Sequence, residues 1–210
     1  MDITDQLLLT AEEIYYLAKT NNGRFLDYDY ISAMDNIGDN KSVFEEKCKR
    51  SLMGKKLIDE DFDGNMTMPQ SVMELIEPIY NGDYESMFSY IDGTDSSFVA
   101  RIHRLDSGYT LVLDKAEGYE IKTIEEKSIE KMIEDSIKIY SDIEIPSEIT
   151  DKDSLDTVIV VKAIEPEKES LVNVFYGNGK GIYEEQDDGI FKNIQKDIFI
   201  KRVTEILKGV

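Results

Sequence analysis

Apolar positions along this chain change period near residue 90. Before it they recur at helical spacing. Thr10-x-x-Glu13 has the form of a capping box, and Ala11, Ile14, Tyr15, Leu17 and Ala18 follow until Asn21-Asn22-Gly23 stops the pattern. Ser42-x-x-Glu45 repeats the signature ahead of Phe44, Cys48 and Leu52, with Gly54 at the end. Leu57-Ile58, an acidic turn over 59–65 and Met66-Thr67-Met68 predict a short hairpin. Pro69 then suits the first turn of a third helix, which carries Val72, Met73, Ile76 and Ile79. Helix, helix, hairpin and helix predict a winged-helix-like part over residues 1–90.

Beyond it, alternation with period two takes over. Phe98–Leu105, Tyr109–Leu113 and Tyr119–Ile124 read as strands joined by short Gly-containing turns, followed by a helix over 126–140. The order recurs in strands at 158–164, 171–176 and 181–185 and a helix over 191–208, aligning Phe98 with Val158, Tyr109 with Leu171 and Tyr119 with Ile182. The expected fold is therefore α+β. A helical N-terminal part precedes a mainly antiparallel sheet domain over 91–210, built from two β-β-β-α halves, 96–140 and 155–208, in pseudo-twofold arrangement. The acidic stretch 141–154, with Pro146, reads as an exposed linker.

Charge narrows the function classes. The chain carries 44 acids against 24 bases, a formal net charge of −20, so a phosphate backbone is repelled. The one basic cluster, Lys47, Lys49, Arg50, Lys55 and Lys56, is flanked by acids. No apolar run is long enough to insert into a membrane, and the single cysteine, Cys48, has no internal partner for a disulfide. Together these place the chain in the cytoplasm.

The residues offer no catalytic constellation. Asp59, Asp61, Asp63 and Asn65 match the alternating oxygens of a calcium loop, with Gly64 at the obligatory glycine. Gln70 stands where a bidentate Glu is needed, however, so the segment reads as a turn and no metal is expected. His103, the only histidine, lies within an alternating strand and reads as a structural residue. Gly177-Asn178-Gly179-Lys180-Gly181 precedes a strand rather than a helix, so it reads as a hairpin turn and not a phosphate loop. No cofactor is expected. In the last helix Phe199, Val203, Ile206 and Val210 share a face, while Ile194 and Ile198 fall off it. With Tyr183 and Phe191 nearby in sequence, they form the expected partner-binding patch.

The layout resembles the EspG family of type VII secretion-associated proteins, and especially their shorter Firmicutes EsaE-like relatives. The resemblance rests on Leu9-Thr10-Ala11-Glu12-Glu13-Ile14, on Arg50-Ser51-Leu52-Met53-Gly54-Lys55-Lys56-Leu57-Ile58, on the wing Asp63-Gly64-Asn65-Met66, and on the strand Tyr109-Thr110-Leu111-Val112-Leu113 within a duplicated sheet-and-helix layout. It implies a cytosolic, non-enzymatic chaperone that holds a secreted helical-hairpin protein ready for export. The residues alone leave two other readings open. One is a winged-helix transcription regulator with a sensor domain, and the other is an acidic immunity-type inhibitor.

Overall fold

The computed structural model describes residues 6–34, 41–93, 97–106, 108–137, 144–165 and 168–209. The protein is α+β and divides into two compact units. One comprises Met1–Asp83 with His103–Thr123, the other Tyr84–Ile102 with Ile124–Val210.

The first unit begins with strand β1 (Gln6–Leu9) and helix α1 (Ala11–Thr20). The expected capping box closes α1: the Glu13 N–H donates to Thr10 Oγ1 at 3.3 Å, and the Thr10 N–H donates to Glu13 Oε2 at 2.8 Å. Glu13 is buried, and its carboxylate also accepts from Lys55 Nζ at 2.7 Å and Ser51 Oγ at 2.8 Å. One carboxylate therefore ties the start of α1 to the end of helix α3 (Lys41–Gly54), which follows a short helix α2 (Tyr28–Ser32). The second expected capping box is not formed. Helix α3 begins at Lys41, which places Ser42 inside its first turn, and Glu45 instead pairs with Lys19 at 2.6 Å and Lys41 at 3.9 Å.

Strands β2 (Asp59–Glu60) and β3 (Met66–Thr67) make the short hairpin, and helix α4 (Gln70–Asn81) follows Pro69. Leu17, Leu52, Ile76, Ile79 and Tyr80 form a core with Val112 and Ile121, which come from strands β6 (Gly108–Lys115) and β7 (Gly118–Thr123). Strand order in this unit is β1-β7-β6, continuing to the last residues of β5 (Ser97–Leu105).

Burial pushes the Cys48 thiol up to about 11, with the Glu12 and Glu13 carboxylates adding to the effect. The thiolate is therefore scarce in the native state at pH 8, and native Cys48 is expected to react with iodoacetamide far more slowly than after denaturation. Native-state stability should also fall as pH rises from the ordinary thiol range toward 11, because the unfolded chain gives up that proton first. Gly118 is constrained differently. Its φ is +138°, and an added Cβ would lie 2.4 Å from Leu9 O, inside the β1–β7 pairing. Gly118→Ala is expected to cost about 2 kcal/mol or more, read from the urea midpoint.

The second unit has the strand order β5, β4 (Tyr84–Asp92), β9 (Thr157–Ile164), β10 (Leu171–Gly177), β11 (Ile182–Glu185), β12 (Phe191–Ile194) and β8 (Glu148–Ile149). Helices α5 (Glu126–Ser136) and α6 (Lys196–Lys208) pack against each other, and α6 packs on β4 and β9.

A strand, β4, precedes residue 96. The segment expected to open the last helix at 191 is strand β12, and the helix starts at Lys196. The stretch expected as a bare linker contributes β8 and one turn of 3₁₀ helix, Lys152–Ser154; its residues 141–143 and the helix residues expected at 138–140 lie outside the described residues. Element order runs through four strands and a helix, β4 to β7 with α5, and, after β8 and the 3₁₀ turn, through four strands and a helix again, β9 to β12 with α6.

Candidate docking surface

The register of the second unit assigns every side chain to a face. Val174 pairs with Val160, Phe175 with Ile159 and Tyr176 with Val158; across the other edge of β9, Ile91 pairs with Val158, Ser89 with Val160 and Phe88 with Val161. Residues two apart share a face. Phe88, Ile159, Val161, Ala163 and Phe175 therefore lie on one side, where all are buried. Helix α6 covers this side. Phe199 meets Phe175 edge to face at 5.0 Å between ring centroids, Ser86 Oγ donates to Leu207 O at 2.9 Å, and the Tyr84 hydroxyl donates to Ile206 O.

The other side carries Val172 and Val174 from β10, Val158, Val160, Lys162 and Ile164 from β9, and Ile91, Ser89, Met87 and Glu85 from β4, of which Ser89 and Glu85 are buried and the Ile91 end is open. Val172 is 55% exposed, Ile91 45% and Val174 39%, with Val158, Val160 and Ile164 half-buried between them. A contiguous face of β-branched side chains left in water is costly, and such patches mark interaction sites. Acids stand at both ends of the strands: Asp92 and Asp156 at one, Glu165 and Glu169 at the other.

The four residues expected as a binding patch do not come together on one surface. Tyr183 and Phe191 are buried on the same side of the sheet as Val174, because Tyr183 pairs with Tyr176 and Phe191 with Glu185. Ile194 pairs with Ile182 on the opposite side and is half-buried; Ile198, in the first turn of α6, is 56% exposed. The expectation placed Ile194 and Ile198 on one helix, and strand β12 separates them.

Other features have structural roles. Asp61 organises the acidic turn: its Oδ1 accepts from the Asp63 and Asn65 N–H groups at 2.9 and 2.8 Å, and its Oδ2 from Asn65 Nδ2 at 3.0 Å. These donors, Asn65 first, hold the carboxyl below its usual range. Gly64, at φ +84°, completes the turn. Among the described residues no group of three or more His, Cys, Asp or Glu is placed to hold a metal ion. His103 is fully buried, with Nε2 2.8 Å from the Tyr30 hydroxyl. Asn178 Oδ1 accepts from the Lys180 and Gly181 N–H groups, which makes the Gly177–Gly181 segment a hairpin turn. In the basic cluster, Lys49 pairs with Glu60 at 2.6 Å, Arg50 with Glu46 at 3.0 Å and Lys55 with Glu13.

No protein-family model matches the chain, and no curated protein does. Among solved structures, a match covers 97% of this chain and 94% of the other, with a TM-score of 0.62 and 8% sequence identity. The fold is shared with the Mycobacterium tuberculosis type VII secretion system chaperone EspG5. That EspG5 structure is a complex with a PE25–PPE41 dimer. At this identity the likeness to EspG5 speaks for the fold of the chain alone. No helix among the described residues is long and apolar enough to cross a membrane.

Proposed function

We propose that this protein is a cytoplasmic, non-enzymatic chaperone or adaptor of a type VII secretion system, that its kin are the shorter EsaE-like proteins, and that it holds a secreted helical hairpin on the open face of the second unit's sheet. The observation that carries the reading is that face, with Ile91, Val172 and Val174 exposed, on a fold shared with a chaperone whose structure is a complex with a PE25–PPE41 dimer. Strands sit about 4.8 Å apart, so β10, β9 and the Ile91 end of β4 together span about 10 Å, the width of one α-helix. Val160 and Val174 at the centre offer a low, rigid ridge, and the acids at the rim favour cargo with basic or neutral flanks. The pairing of two such strand-and-helix runs in pseudo-twofold arrangement belongs to the same proposal, supported by the recurrence of four strands and a helix along the chain.

The test is affinity capture of the tagged chain from its native host, with mass spectrometry of what is retained. The reading expects a small secreted protein of helical hairpin type in stoichiometric amount. Retention of operator DNA or of a nuclease instead would sink it. Ile198 provides the internal comparison. Ile198→Asp is expected to leave capture within about twofold of the unaltered chain, because Ile198 is an exposed residue of α6, which covers the opposite side of the sheet from the docking face. Loss of capture by that variant alone would move the site to the start of α6.

A further inference from the structure

Resting on the docking surface proposed above, we propose that residues 144–156 are a displaceable strap lying over the aromatic end of that surface, and that a helical cargo pushes it aside to reach Tyr176 and Phe191. The apolar face does not stop at Val158 and Val174. Its next member is Tyr176, paired with Val158 on one side and Tyr183 on the other, and the Tyr176 ring meets Phe191 edge to face at 5.1 Å. What separates this aromatic end from the open valines is the strap. Lys152 Nζ sits 5.0 Å from the centroid of the Tyr176 ring and 6.0 Å from that of Phe191, and Ile145 fills the space beside Gly181.

The strap is held by few contacts. Strand β8 pairs with β12 through two residues, Ile149 with Phe191 and Glu148 with Lys192, and one further backbone bond runs from the Asn193 N–H to Ser147 O at 3.0 Å. Ile149 and Leu155 are half-buried, and every other strap residue is exposed. Glu144, Glu148, Asp151, Asp153 and Asp156 against Lys152 alone give it a net negative charge, the same sign as the rest of the protein. A segment with little buried apolar area and self-repelling charge opens at far lower cost than the ladder beneath it. Buried Phe191 and half-buried Tyr176, once uncovered, are aromatic anchors of the kind that dominate interface energies.

Amide hydrogen exchange on the full chain tests the strap directly. The Asn193 N–H, bonded to Ser147 O, is expected to exchange at least about 100-fold faster than the amides between β9 and β10. Equal protection overturns the strap. A synthetic helical hairpin with an apolar tip and lysine flanks then serves as cargo. Saturating probe is expected to abolish the remaining protection at Asn193 and to speed tryptic cleavage after Lys152 at least about tenfold. Probe that binds while leaving both unchanged overturns the displacement but not the docking surface. Probe that fails to bind, or binds a Val174→Asp variant as well as the unaltered chain, overturns the docking surface and the displacement with it.

Discussion

Val174→Asp is expected to abolish cargo capture while leaving the fold intact. Val174 lies opposite Val160 at the centre of the open face, with the partner residue half-buried and its own side chain already 39% exposed. A carboxylate there stays hydrated in the free protein, so the stability cost is small, within about 1 kcal/mol. In the complex it would be buried against apolar cargo without a partner charge, and desolvation alone costs several kcal/mol. Central interface positions commonly lose about 2 kcal/mol or more on truncation, equivalent to about a 30-fold weaker Kd, and an introduced charge loses more. The measurement pairs capture from the host with circular dichroism and a urea melt. A variant that melts with the unaltered protein and still retains full cargo places the interface elsewhere.

Phe199→Ala, on the covered side, should do the reverse and destabilise the protein by about 3–5 kcal/mol. The Phe199 ring is fully buried and meets the fully buried Phe175 at an interplanar angle of 88°. Truncation leaves a cavity between α6 and the sheet that neither element can close, because β10 is fixed by β9 and α6 by its bonds to Tyr84 and Ser86. The Arg202 guanidinium, 5.3 Å over the Phe175 ring and bonded to Glu184 at 2.9 Å, also leans on this packing. Whole-domain stabilities are about 5–15 kcal/mol, so the loss should be plain as a shifted denaturant midpoint. Phe199→Leu, which keeps most of the volume, should recover the larger part. Equal midpoints for Phe199→Ala and the unaltered chain would mean that α6 does not brace the sheet.

Much of the architecture is local and therefore legible without coordinates. The Thr10–Glu13 capping box, the Asp61–Asn65 turn, the hairpin at Gly177–Gly181 and the strand runs at β6, β7, β9 and β10 are each specified within a few residues, by side chains that satisfy neighbouring backbone groups or by runs of strand-forming residues between turns. Elements whose stability comes from distant partners were the ones that stayed hidden. Strand β1 is four residues long and exists through its pairing with β7. Strand β4 mixes Glu85, Ser86 and Ser89 with aromatics, and is fixed by eight residues of register with β9. Strand β12 resembles the lead-in to an amphipathic helix until β11 pairs with it.

The docking surface shows the same division most sharply. The run Val158-Ile159-Val160-Val161 announces a strand apolar on both sides, which asks for cover on both. Nothing in those four residues says which side α6 will take, since Val160 and Val161 are chemically identical and differ only in the direction the pleat gives them. The composition and spacing of the chain determined its locally specified caps, turns and strands and its acidity. Only the tertiary packing of Phe199 on Phe175 decided that Val161 is core and Val160 faces outward, because burial is a property of two surfaces meeting and not of either one alone.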